Sequence, residues 1–184
     1  MVSRNDEFSI QAIKSILASQ LNNNIRLSFS IEKRIYRDIK EKINFNFDKI
    51  NIIQYEKQFI NAFEHIKYLI NLCKTDYIMI LHDDDNIGSN FLNCTYKNII
   101  KYAPDAISSS ASFIDEDGHT NVYTNSIKSK DKIYKISKRK VLNRYFLPIR
   151  DGEIVFPTIA FKTNLYKKYW KDNTNYIGTH EDVK

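Results

Sequence analysis

At 184 residues and 21.7 kDa the chain is long enough for one domain with its own core, and 42% hydrophobic residues exclude a disordered tail. A net charge of +6 favours anionic partners: nucleotides, phospholipid surfaces or nucleic acid. No run approaches the roughly 18–20 apolar residues that cross a bilayer, and the opening "MVSRNDEF" lacks the apolar centre of a secretory signal.

In chain order, residues 6–20 place Phe8, Ile10, Ala12, Ile13, Ile16 and Leu17 mostly three or four apart, which predicts a helix. "IRLSFSI" (25–31) and "KINIIQY" (49–55) read as short strands. Residues 56–73 return to a helical period through Phe59, Ala62, Phe63, Ile66, Leu69 and Ile70. "YIMIL" (77–81) is a continuous apolar run, as expected of a strand buried on both faces of a parallel sheet. A further helix is predicted over 90–103, closed by Pro104. "DAISSSASFID" (105–115) suits another strand and "EDG" (116–118) a turn. "EIVFPTIAFKT" (153–163) reads as extended, with a short helix before "YIGTHEDV". Strands alternating with helices, without a linker or repeat, predict one α/β domain over 1–184 with a mostly parallel sheet.

Cys73 and Cys94 fit no metal-ligand spacing and are expected as reduced core residues in a cytoplasmic protein. The positive charge gathers in "KSKDKIYKISKRK" (128–140). Without an RNA- or DNA-binding motif beside it, this run does not argue for a nucleic-acid partner. It is either a solvated face or a peripheral contact with an anionic membrane at its inner face, which salt-sensitive association with anionic vesicles would test.

The chemistry concentrates where "YIMIL" ends in "HDDD". In α/β sheets ligands bind beyond the carboxyl ends of the strands. On an extended backbone Asp83 and Asp85 would point to one side and Asp84 to the other. Two such carboxylates suit Mg²⁺ or Mn²⁺, which fills its remaining positions with water and substrate phosphates. A solvated acidic turn is the plain alternative. A calcium loop fails, because Ile87 and Cys94 stand where it needs an oxygen ligand and a glutamate. A D-x-D phosphatase, with Asp83 as nucleophile and Asp85 as acid, fits poorly with a mid-chain motif followed by Ile87.

With these motifs in order, the chain resembles the family 2 glycosyltransferases of GT-A fold. "SRNDEFSIQAIKSILASQ" is similar to the segment after their first strand. "NAFEHIKYLINLCKTDYIMILHDDDNIGSNFL" resembles the central block with its D-x-D-type motif. "PDAISSSASFIDEDG" looks like the next strand and turn, and "PTIAFKTNLYKKYW…YIGTHEDV" the acceptor-side block with its Glu-Asp pair. The resemblance implies a Rossmann-like α/β/α sandwich, with the nucleotide-sugar part at about 1–104 and the acceptor-side part at about 105–184. It implies metal-dependent, inverting transfer of a sugar from a nucleotide-diphosphate donor to a saccharide or lipid-linked acceptor.

By position, Ser3, Arg4 and Asn5 would touch the nucleoside, and Glu32 stands where the family commonly has an aspartate that reads the base. Asp83, Asp84 and Asp85 would hold metal and diphosphate, Asp85 directly and Asp83 or Asp84 second. Asp182 would be the general base, taking the proton of the acceptor hydroxyl, with His180 and Glu181 on the acceptor side. Local hydrogen bonding is the expectation for the His82 and His180 rings. Acidic residues also favour helix starts, which is the alternative for Glu181 and Asp182. Members extend beyond both ends of this sequence, which implies a truncated or fragmentary member. A non-catalytic nucleotide-sugar binder is the competing reading.

Overall fold

The amphipathic period near the N-terminus becomes α1 (Asp6–Ala18), which turns Ala12, Ile13 and Ile16 into the core. The structure, a computed structural model, describes residues 6–19, 24–42, 50–55, 62–114, 120–121, 133, 135–137, 139 and 156–171. β1 (Leu27–Glu32) and β2 (Ile50–Tyr55) pair in parallel, Leu27 beside Ile50 and Glu32 beside Tyr55.

Between them lies α2 (Lys33–Lys42), a helix that the sequence reading did not foresee. Its stretch "KRIYRDIKEK" is mostly charged, and among its described side chains Ile39 is buried with Ile13, against Ile10, Leu17, Phe29 and Ile31. Its apolar residues Ile35, Tyr36 and Ile39 keep a helical spacing, set among charged neighbours.

α3 (Ala62–Leu72) leads through residues 73–76 into β3 (Tyr77–Met79). α4 (Phe91–Tyr102) follows and closes on Ala103 in the left-handed region (φ 42°, ψ 46°), whose N–H donates to Ile99 O. Pro104 then bars continuation, as expected. The predicted strand at 105–115 is instead two short ones, β4 (Ala106–Ile107) and β5 (Phe113–Ile114), the latter paired with β6 (Thr120–Asn121). The serines between them bond their own backbone: Ser108 Oγ donates to Ser109 O and Ser109 Oγ to Ser110 O, each at 3.2 Å. Such local bonds compete with a ladder.

The extended segment expected near the C-terminus holds a 3-10 turn (Phe156–Thr158), then β7 (Ala160–Lys162) and the expected helix, α5 (Thr163–Lys171). β7 lies between β3 and β4 and runs antiparallel to both. β3 and β4 therefore share one direction, and the α/β architecture combines a parallel pair with a sheet carrying one reversed strand. The core here is Ile70 (1% exposed) and Tyr166, packed with Ile66, Ile78, Ile80 and Phe161; the Phe161 and Tyr166 rings stack at 4.8 Å. It clamps α3 and α5 onto β3 and β7.

Two expectations change. The ladder of β3 stops at Met79 and its side chains are half-buried, because a cavity borders the strand. Cys94 is exposed, since it lies two residues, about 200°, around α4 from the buried Leu92. No described helix is long and apolar enough to cross a membrane. The calls at 56–61, 116–118 and 153–155 lie outside the described residues, as does most of the basic run.

Candidate functional site

Beyond β3 the chain passes through Ile80 and Leu81 into the acidic loop. Residues 83 and 84 form a turn. His82 N donates to Asp85 Oδ2 (3.2 Å), Asp85 N donates to His82 O (3.4 Å), and His82 Nδ1 lies 3.7 Å from the same carboxylate oxygen. Strand alternation therefore ends before the aspartates, and with it the reason to expect Asp83 and Asp85 on one side. The ligand atoms that converge belong to His82, Asp84 and Asp85, all within 4.8 Å of one another. Asp83 instead lines the adjoining cavity, with Oδ1 buried and without a hydrogen-bond partner among the described residues.

Burial pushes the Asp85 carboxyl above its ordinary value; His82 opposes the rise by charge and hydrogen bond, while Asp84 and Asp83 add to it. The loop is tied to α1, where Ile87 N donates to Ser15 Oγ (3.1 Å) and Ser15 Oγ donates to Ala12 O (2.7 Å). A serine inside a helical period carries no sequence signal for this tether.

The cavity beside the loop measures about 670 Å³ and is walled by β1, β3, α1 and α3. Glu32, His82 and Asp83 all line it, so the structure brings two predicted donor-binding residues, 51 positions apart in the chain (83 − 32), onto one space. Glu32 is 7% exposed. Ser3, Arg4, Asn5, His180, Glu181 and Asp182 lie outside the described residues.

Sequence reading missed His65 and Ser30, which also line the cavity, with Ser30 Oγ 2.6 Å from His65 Nε2. His65 sits in an apolar helical period and belongs to no motif. It is 4% exposed, and burial lowers its pKa from the ordinary 6.5 to about 4. The folded state thus resists protonation that the unfolded state accepts. This contribution is complete above pH 6.5 and disappears as the pH falls towards 4. At about 1.36 kcal/mol per pKa unit, up to about 3 kcal/mol is lost across that window. Urea midpoints at pH 7 and pH 4.5 check this: His65→Asn should flatten the acid-side decline, and an equal decline in both proteins would disprove it.

No protein-family model matches the sequence, and no curated protein matches it. The fold is α/β of the GT-A-like type. Structures of S. aureus TarS 1–349 superpose with a TM-score of 0.60 at 13% identity, over 98% of this chain and 51% of theirs. The TarS structure in complex with UDP-GlcNAc gives 0.61 and 13%, over 96% and 48%. The 4-diphosphocytidyl-2C-methyl-D-erythritolsynthase of Anaerococcus prevotii gives 0.53 and 13%, over 99% and 71%. The chain spans about half the length of the TarS structures it matches. At such identities the likeness is one of fold.

Proposed function

We propose that this chain is a glycosyltransferase that uses a nucleotide-diphosphate sugar, with Mg²⁺ or Mn²⁺, and a saccharide or lipid-linked acceptor. The observation that carries this reading is the meeting of an acidic loop and a cavity at the end of one strand. The fold likeness to a protein solved with UDP and with UDP-GlcNAc supports a nucleotide-sugar partner.

The donor set fits a hard cation. Asp84 and Asp85 bring carboxylate oxygens to one point with His82, and burial disfavours the Asp85 charge in the cation's absence. Asp85 would hold the ion directly, with Asp84 second; the ion would supply charge stabilisation to the departing diphosphate. The chain's own residues do the rest. The His82 backbone N–H orients the Asp85 carboxylate. Glu32 and Asp83 line the cavity proposed for the donor, and Ser3, Arg4 and Asn5 would touch the nucleoside. Asp182 accepts the proton of the acceptor hydroxyl as that oxygen attacks the anomeric carbon from the side opposite the leaving group, inverting it. His180 and Glu181 border the acceptor.

Donor hydrolysis tests turnover. With UDP-sugars and GDP-sugars in Mn²⁺, the native chain should release nucleoside diphosphate, and Asp182→Asn should slow release by about 100-fold or more. An unaffected rate removes Asp182 as the base. Donor binding without release in the native chain would identify the non-catalytic binder instead.

A further inference from the structure

We propose that Ser15 is a positioning residue for the acidic loop: its hydroxyl holds the far end of the loop on α1, which keeps Asp84 and Asp85 at a common point and Asp83 at the cavity. The inference rests on the reading of that loop as the metal and donor site.

The loop leaves the sheet at Met79, where the ladder with β7 ends. Ile80 still packs with Ile70 and Tyr166, which anchors the near end in the core. His82 and Asp85 then bond each other, backbone to backbone and backbone to carboxylate, and close the turn on itself. Bonds over three positions fix the shape of a turn but not its place on the molecule. Residues 85–88 belong to no helix, strand or turn, so no ladder places them. A bond that does cross to another element runs from Ile87 N–H to Ser15 Oγ at 3.1 Å, over 72 positions of chain. α1 walls the cavity through Ser9, Ala12, Ile13 and Ile16, so the bond also fixes the loop against that wall.

The direction of the bond follows from its chemistry. An amide N–H only donates, so Ser15 Oγ accepts from Ile87 and sends its own proton to Ala12 O, at 2.7 Å and three positions back. The second bond locks the hydroxyl with an acceptor lone pair towards the loop. Alanine would serve the helix better: serine ranks below it in helix propensity, and bonding back to the preceding turn slightly destabilises a helix. The contribution of Ser15 is therefore to the loop. Ser19 offers the contrast. Its hydroxyl also donates three positions back, to Ile16 O, but it is buried and has no bond to the acidic loop among the described residues.

Amide exchange by NMR on the ligand-free chain tests the hold, and calorimetry with UDP and GDP in Mn²⁺ tests its consequence. In Ser15→Ala the Ile87 amide should exchange about 3- to 10-fold faster, the worth of one hydrogen bond, while amides of α1 and α3 keep their rates. Affinity for the metal-bound nucleotide should fall about 10-fold, as it does when a group that orients metal ligands is removed. The thermal midpoint should not fall. Ser15→Thr should restore both properties, since a threonine hydroxyl in a helix makes the same backward bond and keeps the acceptor. Ser19→Ala should leave the exchange of the loop native. Unchanged exchange at Ile87, native affinity in Ser15→Ala, or faster exchange throughout α1 would overturn the role of Ser15. Failure of the native chain to bind either nucleotide would instead overturn the donor reading, and the exchange rates would still decide whether Ser15 holds the loop.

Discussion

Asp85→Asn is expected to lower Mn²⁺-dependent affinity for a nucleoside diphosphate by at least about 100-fold while leaving the fold intact. Even residues that only support metal ligands cost 10–100-fold when changed, and Asp85 is placed as a ligand itself. The carboxylate is held in position by the His82 N–H at 3.2 Å, and an asparagine oxygen can accept the same bond. The substitution thus removes charge more than shape. The raised pKa of Asp85 predicts that affinity falls on the acid side, where the carboxyl gains its proton. Asp105→Asn is the matched control: Asp105 pairs with Lys162 at 2.7 Å on an exposed surface, where solvent screens the pair and its loss leaves the fold intact. Titration calorimetry of the three proteins should show native-like binding in the control. Equal affinity for the native chain and Asp85→Asn would remove Asp85 from the metal site.

Ile70→Ala should destabilise the chain by about 3 kcal/mol, within the 2–5 kcal/mol typical of such truncations. Ile70 is 1% exposed and joins Ile66, Ile78, Ile80, Phe161 and Tyr166, the contacts that fix α3 and α5 on the strands. The aromatic stack of Phe161 on Tyr166 leaves little freedom for collapse into the space, so the cavity term adds to the lost burial. For a domain of this length the change corresponds to roughly 6–12 °C in the thermal midpoint. In urea the midpoint should fall with an unchanged slope. A shift under about 0.5 kcal/mol would show that this cluster does not organise the fold.

Where burial is periodic, the elements were legible in the sequence. Ile13 and Ile16 announce α1, and Ile66 with Ile70 announce α3, because one side of each helix faces a core. α2 was harder to read, since Ile35, Tyr36 and Ile39 stand at helical spacing but among charged neighbours. β3 was overestimated: apolar composition at 77–81 does not distinguish a strand with two neighbours from one bordering a cavity. The acidic loop was visible because its residues are adjacent in sequence. Its internal geometry was not, because a turn at 83–84 replaces strand alternation and gathers Asp84 rather than Asp83 with Asp85. The meeting of Glu32 with Asp83, and of Ser30 with His65, belongs to tertiary packing and leaves no local pattern.

The most direct measurement of the central claim is calorimetry of the native chain with UDP and with GDP, each with Mn²⁺ and with the metal chelated. The account predicts binding of at least one of them in Mn²⁺ and a loss of most of that affinity on chelation. If neither nucleotide binds under either condition, the donor site proposed at the end of β3 does not exist.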